Sequence, residues 1–179
     1  MTAAAPRAID TPRLVLRPPE IADCELILER YASDPEVTRY LGWPRHRAID
    51  DTRAFVEFSR QEWQRWPAGP YLVWSRDGRL LGGTGLAFET PTRAATGYVF
   101  AKDAWGRGLA TEVLAAMTAL AGRLGARRLY ALCHVEHEAS WRVLEKGGFT
   151  REGVLRRHSE FPNLAPGEPA DVFCYSRVF

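Results

Sequence analysis

The stretch Ala104-Trp105-Gly106-Arg107-Gly108-Leu109-Ala110-Thr111-Glu112 carries the residue types best suited to binding chemistry. Two glycines stand where a strand-like run passes into the longest helical pattern of the chain. Such a turn can aim successive backbone N–H groups at an anion, with the positive end of the helix dipole behind them. That suits a phosphate or a pyrophosphate. Glycine matters because a side chain there would hold the ligand away from the backbone. A helix start that merely packs tightly explains the same pair, and spacing alone leaves both readings open. Two known phosphate loops are excluded. No Lys-Ser or Lys-Thr follows the glycines, and Gly106-Arg107-Gly108-Leu109-Ala110-Thr111 lacks the third glycine of a dinucleotide turn.

Three further groups could do chemistry. His134-Val135-Glu136-His137-Glu138 starts at a strand end and runs into a turn, so its side chains are expected to diverge. It is not the helical H-E-x-x-H pattern, and no metal is expected there or elsewhere. Cys133 stands beside His134, on the opposite strand face by alternation, and reads as a buried apolar cysteine rather than a nucleophile. Ser140 near a helix start can bond its own backbone.

Periodicity supplies the elements that must position these groups. Arg13 to Arg17 reads as a strand closed by Pro18-Pro19. Ile21, Cys24, Leu28 and Tyr31 mark one face of a helix over 20–32. A second helix runs from about Asp50 to Trp66, stopped by Pro67 and Gly69. Strands follow over 71–75, 80–88 and 96–101, with Asp77-Gly78 as a hairpin turn between the first two. Leu109, Val113, Met117, Leu120 and Leu124 form the stripe of a long helix over 108–124 that packs on a sheet, and Gly125 ends it. A strand over 128–134, a short helix over 139–146 and strands over 149–156 and 172–178 complete the chain. A loop rich in proline and glycine lies at 160–171. The order β-α-α-β-β-β-α-β-α-β-β predicts one α/β (α+β) domain over 11–179, behind a tail over 1–10. Its mixed, mostly antiparallel sheet should carry helices on both faces.

Composition agrees. The chain has 179 residues, 46% of them hydrophobic, enough to fill a core. Its 24 basic and 22 acidic residues leave a net charge of +2, too balanced for a dedicated nucleic-acid binder. Cys24, Cys133 and Cys174 are odd in number and far apart, which fits neither a disulfide framework nor a zinc ribbon. No apolar run approaches ~18 residues, and Met1 to Arg7 lacks a signal-peptide core. A cytoplasmic protein, free of membrane, is expected.

The chain resembles the GNAT acyl-CoA N-acyltransferases, especially the branch with the ribosomal-protein N-terminal acetyltransferases. The resemblance is carried by Thr11-Pro12-Arg13-Leu14-Val15-Leu16-Arg17-Pro18, Asp34-Pro35-Glu36-Val37, Tyr40-Leu41-Gly42-Trp43-Pro44 and Leu81-Gly82-Gly83-Thr84-Gly85-Leu86. It continues through Gly97-Tyr98, Trp105 to Glu112, Ala139-Ser140, Val143-Leu144-Glu145-Lys146-Gly147-Gly148-Phe149, Glu152-Gly153 and Asp171 to Tyr175. These pieces keep the family's order over nearly the whole chain.

The resemblance implies a GNAT fold and transfer of an acetyl group from acetyl-CoA, without a metal, to a primary amine by direct attack. The amine belongs to a protein N-terminus or a small molecule, and the protein is a monomer or homodimer. The pyrophosphate would lie on Gly106, Arg107, Gly108, Leu109, Ala110 and Thr111, with Trp105 at the head of the loop. The pantetheine arm would run along Tyr98, Val99 and Phe100. Ser140 matches the position that protonates the departing thiolate, and the resemblance places His137 and Ser140 beside the cofactor. Trp43, His46 and Phe161 are candidate walls of the acceptor pocket.

Three positions depart from the family. Ala95 stands where a glutamate often accepts the amine's proton, His137 replaces an asparagine, and Glu145 replaces a tyrosine. Glu89, Glu112 and His137 are the candidate substitute bases. Without a close carboxylate, an α-amine (pKa near 8) is easier to neutralise than a lysine (near 10.4). The ~2.4 units amount to roughly 3.3 kcal/mol. A non-catalytic acyl-CoA sensor is the alternative.

Overall fold

The computed structural model describes residues 4–179. Eight strands form one sheet in the order β1-β2-β3-β4-β5-β6-β8-β7. They are β1 (Ile9–Asp10), β2 (Leu14–Arg17), β3 (Pro70–Ser75), β4 (Leu80–Thr90), β5 (Arg93–Phe100), β6 (Arg128–His134), β7 (Thr150–Glu160) and β8 (Pro169–Val178). All neighbours are antiparallel except β5 and β6. The helices are α1 (Cys24–Ile27), α2 (Ile49–Arg65), α3 (Leu109–Arg123) and α4 (Glu138–Lys146). This is the expected mixed sheet.

Alternation in the strands divides the core in two. Tyr71, Val73, Leu81, Leu129 and Tyr175 join the buried stripe of α3, where Val113 and Met117 have no exposed surface. Leu72 and Leu80 face the other way and meet Ile27 and Tyr31 from the first helical segment and Val56 of α2. Helices therefore cover both faces, and each face buries a separate apolar set.

Several boundaries differ from the sequence reading, among them the start of β5, at Arg93 rather than 96. The presumed tail is packed from Ala5 onward. Ala5 N–H donates to Pro67 O at 2.7 Å, Tyr71 Oη donates to Pro6 O at 2.7 Å, and Ile9–Asp10 pairs with β2. Residues 1–3 of that expected tail lie outside the described residues. The first helix is irregular: beyond α1 it widens to a π turn over Leu28–Ala32. There Leu28 O accepts from both the amide and the hydroxyl of Ser33, at 3.1 and 2.7 Å. The loop at 160–171 is shorter than expected, because β7 and β8 extend into it and pair as far as Glu160 and Pro169.

The β5–β6 pair matters most for function. It is paired only from Arg93 to Ala95 against Arg128 to Tyr130. Past that point the two strands separate, and no strand among the described residues fills the gap.

Candidate active site

The glycine loop leaves β5 through a short 3-10 turn, Lys102–Ala104, and enters α3. Gly106 and Gly108 adopt φ +70° and +72°, left-handed values that side-chain-bearing residues reach only with strain. Trp105 N–H is spent on Lys102 O and Glu112 N–H on Gly108 O. The amides from Gly106 to Thr111 donate to no backbone carbonyl among the described residues. Such a row of open donors at a helix N-terminus is an anion site in its chemistry. Trp105 fixes the loop to the sheet by donating from Nε1 to Phe100 O at 2.8 Å.

Glu112 has a different task from the one foreseen. Its carboxylate accepts from Thr11 Oγ1 at 2.6 Å, Arg13 N–H at 2.9 Å and Arg13 Nε at 2.6 Å, while Arg13 Nη1 donates to Arg107 O at 2.8 Å. Burial pushes the Glu112 carboxyl up, but the Thr11 and Arg13 donors outweigh it and hold the group below the usual carboxylate range. Glu112 thus fastens β2 to the glycine loop and does not border the cavity described below. The clamp, not base chemistry, accounts for it. Glu89, the other acidic candidate, is bound to Tyr130 and Arg93 outside the cavity.

The gap between β5 and β6 opens into a cavity of about 970 Å³. Tyr98 and Val99 line it from β5, Cys133 from β6, and His137, Ser140 and Leu144 from the start and body of α4. Phe100 lies in the core and offers only its backbone. Tyr98 Oη lies 2.9 Å from Ser140 O and 3.2 Å from Ser140 Oγ. The Ser140 hydroxyl is therefore turned to Tyr98 and does not cap its own helix. Burial raises the Tyr98 phenol well above its ordinary value, so Tyr98 stays protonated. Cys133 is pushed to about 12, chiefly by burial, and stays a thiol.

The sequence reading had the His134 and His137 side chains diverge. In the structure both rings meet Tyr40, His137 stacked at 4.7 Å and 22° and His134 tilted at 5.1 Å. The turn is responsible: His137 N–H donates to His134 O, which brings the two residues onto one side. Burial, with His134 adding to it, lowers the His137 pKa below its ordinary 6.5. His137 is therefore a neutral base at pH 7.

Trp43, His46 and Phe161 all line this cavity. His46 packs on Trp43 at 5.1 Å and its Nδ1 lies 2.9 Å from Thr52 Oγ1. Phe161 meets His134 edge to face at 5.0 Å. Sequence reasoning missed Tyr40 and Phe55, which complete the aromatic wall, and Asn163. One Asn163 side chain donates to Thr38 O and Trp43 O at 2.8 and 2.9 Å and accepts from Arg45 N–H at 2.8 Å. It ties the loop after β7 to the loop before α2. No spacing in the sequence signals a contact between residues so far apart.

An open anion loop at a helix start thus stands next to a gap between parting strands. Residues 13–150 match the acetyltransferase (GNAT) domain, and the chain belongs to that family. It is 33% identical over 175 residues to YoaA of Bacillus subtilis (strain 168), an uncharacterized N-acetyltransferase, covering 95% of this chain and 96% of that one. A GNAT-family acetyltransferase from Bacillus anthracis superposes with a TM-score of 0.80 at 26% identity, over 96% of this chain and 98% of that one. RimL, a ribosomal L7/L12 alpha-N-protein acetyltransferase solved with coenzyme A, gives 0.84 at 24%, over the same shares, and so shares the fold. The protein is an acyl-CoA-dependent acetyltransferase. Among the described residues no helix is long and apolar enough to cross a membrane.

Proposed function

We propose that the protein transfers the acetyl group of acetyl-CoA to a primary amine, an α-amine in preference to a lysine, by direct attack inside the β5–β6 cavity. One observation carries this reading: Tyr98, Ser140 and a neutral His137 line the same cavity where the two strands part. In this scheme the amides from Gly106 to Thr111 hold the pyrophosphate, and the pantetheine arm lies along Tyr98, Val99 and Phe100 as an added strand would. Backbone N–H groups near Val99 stabilise the oxyanion.

The amine nitrogen attacks the thioester carbonyl and passes its proton to His137. When the C–S bond breaks, the thiolate takes a proton from the Ser140 hydroxyl, which Tyr98 holds in place, and the serine oxygen regains the proton that His137 took from the amine. His137 thus supplies the basicity that Ala95 lacks. A lysine acceptor must first give up a proton at roughly 3.3 kcal/mol more than an α-amine. Among the described residues the one carboxylate in the cavity wall, Asp51, is turned to the amides of Arg47 and Ala48 and so does not offset that difference.

Purified protein with acetyl-CoA and a panel of peptides, amino acids and small amines should release free CoA thiol, fastest with α-amines. Silence across the whole panel would defeat the proposal. Ser140→Ala should lower kcat about 100-fold and leave the Kd for acetyl-CoA unchanged. An unaltered kcat would remove Ser140 from the mechanism.

A further inference from the structure

Arg45 is a half-buried cation in the cavity wall. Its guanidinium has no hydrogen-bond or carboxylate partner among the described residues. Only its backbone is engaged, by Asn163. Arg13, Arg17 and Arg30, by contrast, are each held by a carboxylate at 2.6 to 2.9 Å. Among the described residues that line the cavity, only Asp51 carries a carboxylate. It is turned to the amides of Arg47 and Ala48, at 2.8 and 3.1 Å. Exposed Arg47 lines the same wall and adds a second positive charge.

A charge withdrawn from water without a partner is costly, so such groups are normally paired. The planar guanidinium matches carboxylate and phosphate oxygens alike. Asn163 fixes the backbone of Arg45 to the opposite loop, so its placement does not depend on a ligand. An acceptor in this cavity meets apolar surface from Trp43, Phe55 and Phe161 and the cations of Arg45 and Arg47, of which Arg45 is the more buried.

We propose that the amine acceptor carries an anionic group, a carboxylate or a phosphate, and that Arg45 binds it. This rests on the proposed function, because it assigns the acceptor to this cavity. The recognition is separable from the chemistry and can be read as binding alone.

The test uses calorimetry on the full chain saturated with CoA, with matched peptides that share one N-terminal α-amine. Ala-Glu-Ala-amide is set against Ala-Gln-Ala-amide, and Ala-phosphoserine-Ala-amide against Ala-Ser-Ala-amide. The anionic member of at least one pair should bind about tenfold more tightly, and the pair that shows it decides between carboxylate and phosphate. Arg45→Gln should abolish the preference and Arg45→Lys restore part of it, both with an unchanged unfolding midpoint and an unchanged Kd for CoA. Equal binding within both pairs, no binding at all, or a preference that survives Arg45→Gln would overturn the proposal. If the preference holds but no amine releases CoA from acetyl-CoA, the transfer reading fails and the anion site stands.

Discussion

The glycine loop and the acceptor cavity are built on opposite plans. The loop is one contiguous run, Trp105 to Thr111, whose working groups are backbone amides set by two left-handed glycines. The cavity is assembled from nine separate segments: the first helical segment, the loop 40–47, α2, β3, β4, β5, β6, α4 and the end of β7 with the loop after it. A backbone site depends on conformation and tolerates most side chains, so it suits the constant part of a substrate. A side-chain site can change one residue at a time, so it suits the part that varies. The comparison implies that damage to the loop should abolish cofactor binding, whereas damage to the cavity should reach acceptor use and leave cofactor affinity intact.

The largest effect should come from Gly108→Asp. It forces a side chain into a left-handed φ of +72° and puts a carboxylate beside the open amides. Calorimetry should show CoA affinity weakened more than about 100-fold, with about 1–2 kcal/mol of lost stability from the backbone. Unchanged affinity would mean that the loop is only a packed helix start, and the division between the two regions would disappear.

His137→Gln probes the cavity at its chemical centre. It should lower kcat at pH 7 by about 100-fold and leave CoA affinity alone. Because burial depresses the His137 pKa, the wild-type rate should rise with pH through a value below 6.5, where the imidazolium loses its proton. In the variant the rising limb should shift toward about 8, where the α-amine itself deprotonates. A variant with the wild-type profile would show that the proton goes elsewhere. The stability consequence has the same sign. His137 gains its charge in the unfolded chain at a higher pH than in the folded one, so stability falls as pH drops below 6.5.

Arg13→Gln tests whether the loop is as self-contained as its sequence suggests. Without Arg13 the Glu112 carboxylate keeps only its Thr11 and backbone partners, and Arg107 O loses its donor. An uncompensated negative charge then stands in the first turn of α3, beside the proposed pyrophosphate site. CoA affinity should fall about fivefold, less at high salt because the clamp is partly exposed. Arg13→Lys should recover part of the loss. An affinity equal to wild type would confine the clamp to folding.

What could be read in the sequence follows the same division. The stripe of α3 and the strand over 128–134 were legible because a run of regular spacing needs no partner to reveal it. The glycine loop was legible for the same reason, being a local conformation written in adjacent residues. The roles of Glu112 and Arg13 were not, since their contact spans 99 residues. The extra length of β5 at Arg93 was hidden by Ala94 and Ala95, whose small side chains carry little alternation signal. Trp43, His46 and Phe161 were placed at the acceptor end by family resemblance; Tyr40, inside the same motif, was given no role, and Asn163 had no pattern to betray it. Convergence of His134 and His137 on Tyr40 depended on a turn that alternation could not foresee.

Asn163→Ala should give the smallest and most selective effect. The side chain touches neither the glycine loop nor the groups that move protons, and it only joins the loop at 38–46 to the loop after β7. Removing it frees Arg45 and Trp43 to shift, so the KM for the acceptor should rise about fivefold, with kcat and the Kd for CoA nearly unchanged. Asn163→Asp should be worse than alanine despite its closer shape. Its carboxylate can still accept from Arg45 N–H, but it faces Thr38 O and Trp43 O, two carbonyls that lose their donor and meet a negative charge instead. That ranking, with acceptor KM highest for aspartate, lower for alanine and lowest for asparagine and no ranking for CoA, is the pattern expected of a latch confined to the variable end. A parallel loss of CoA affinity would show that the two regions are mechanically one.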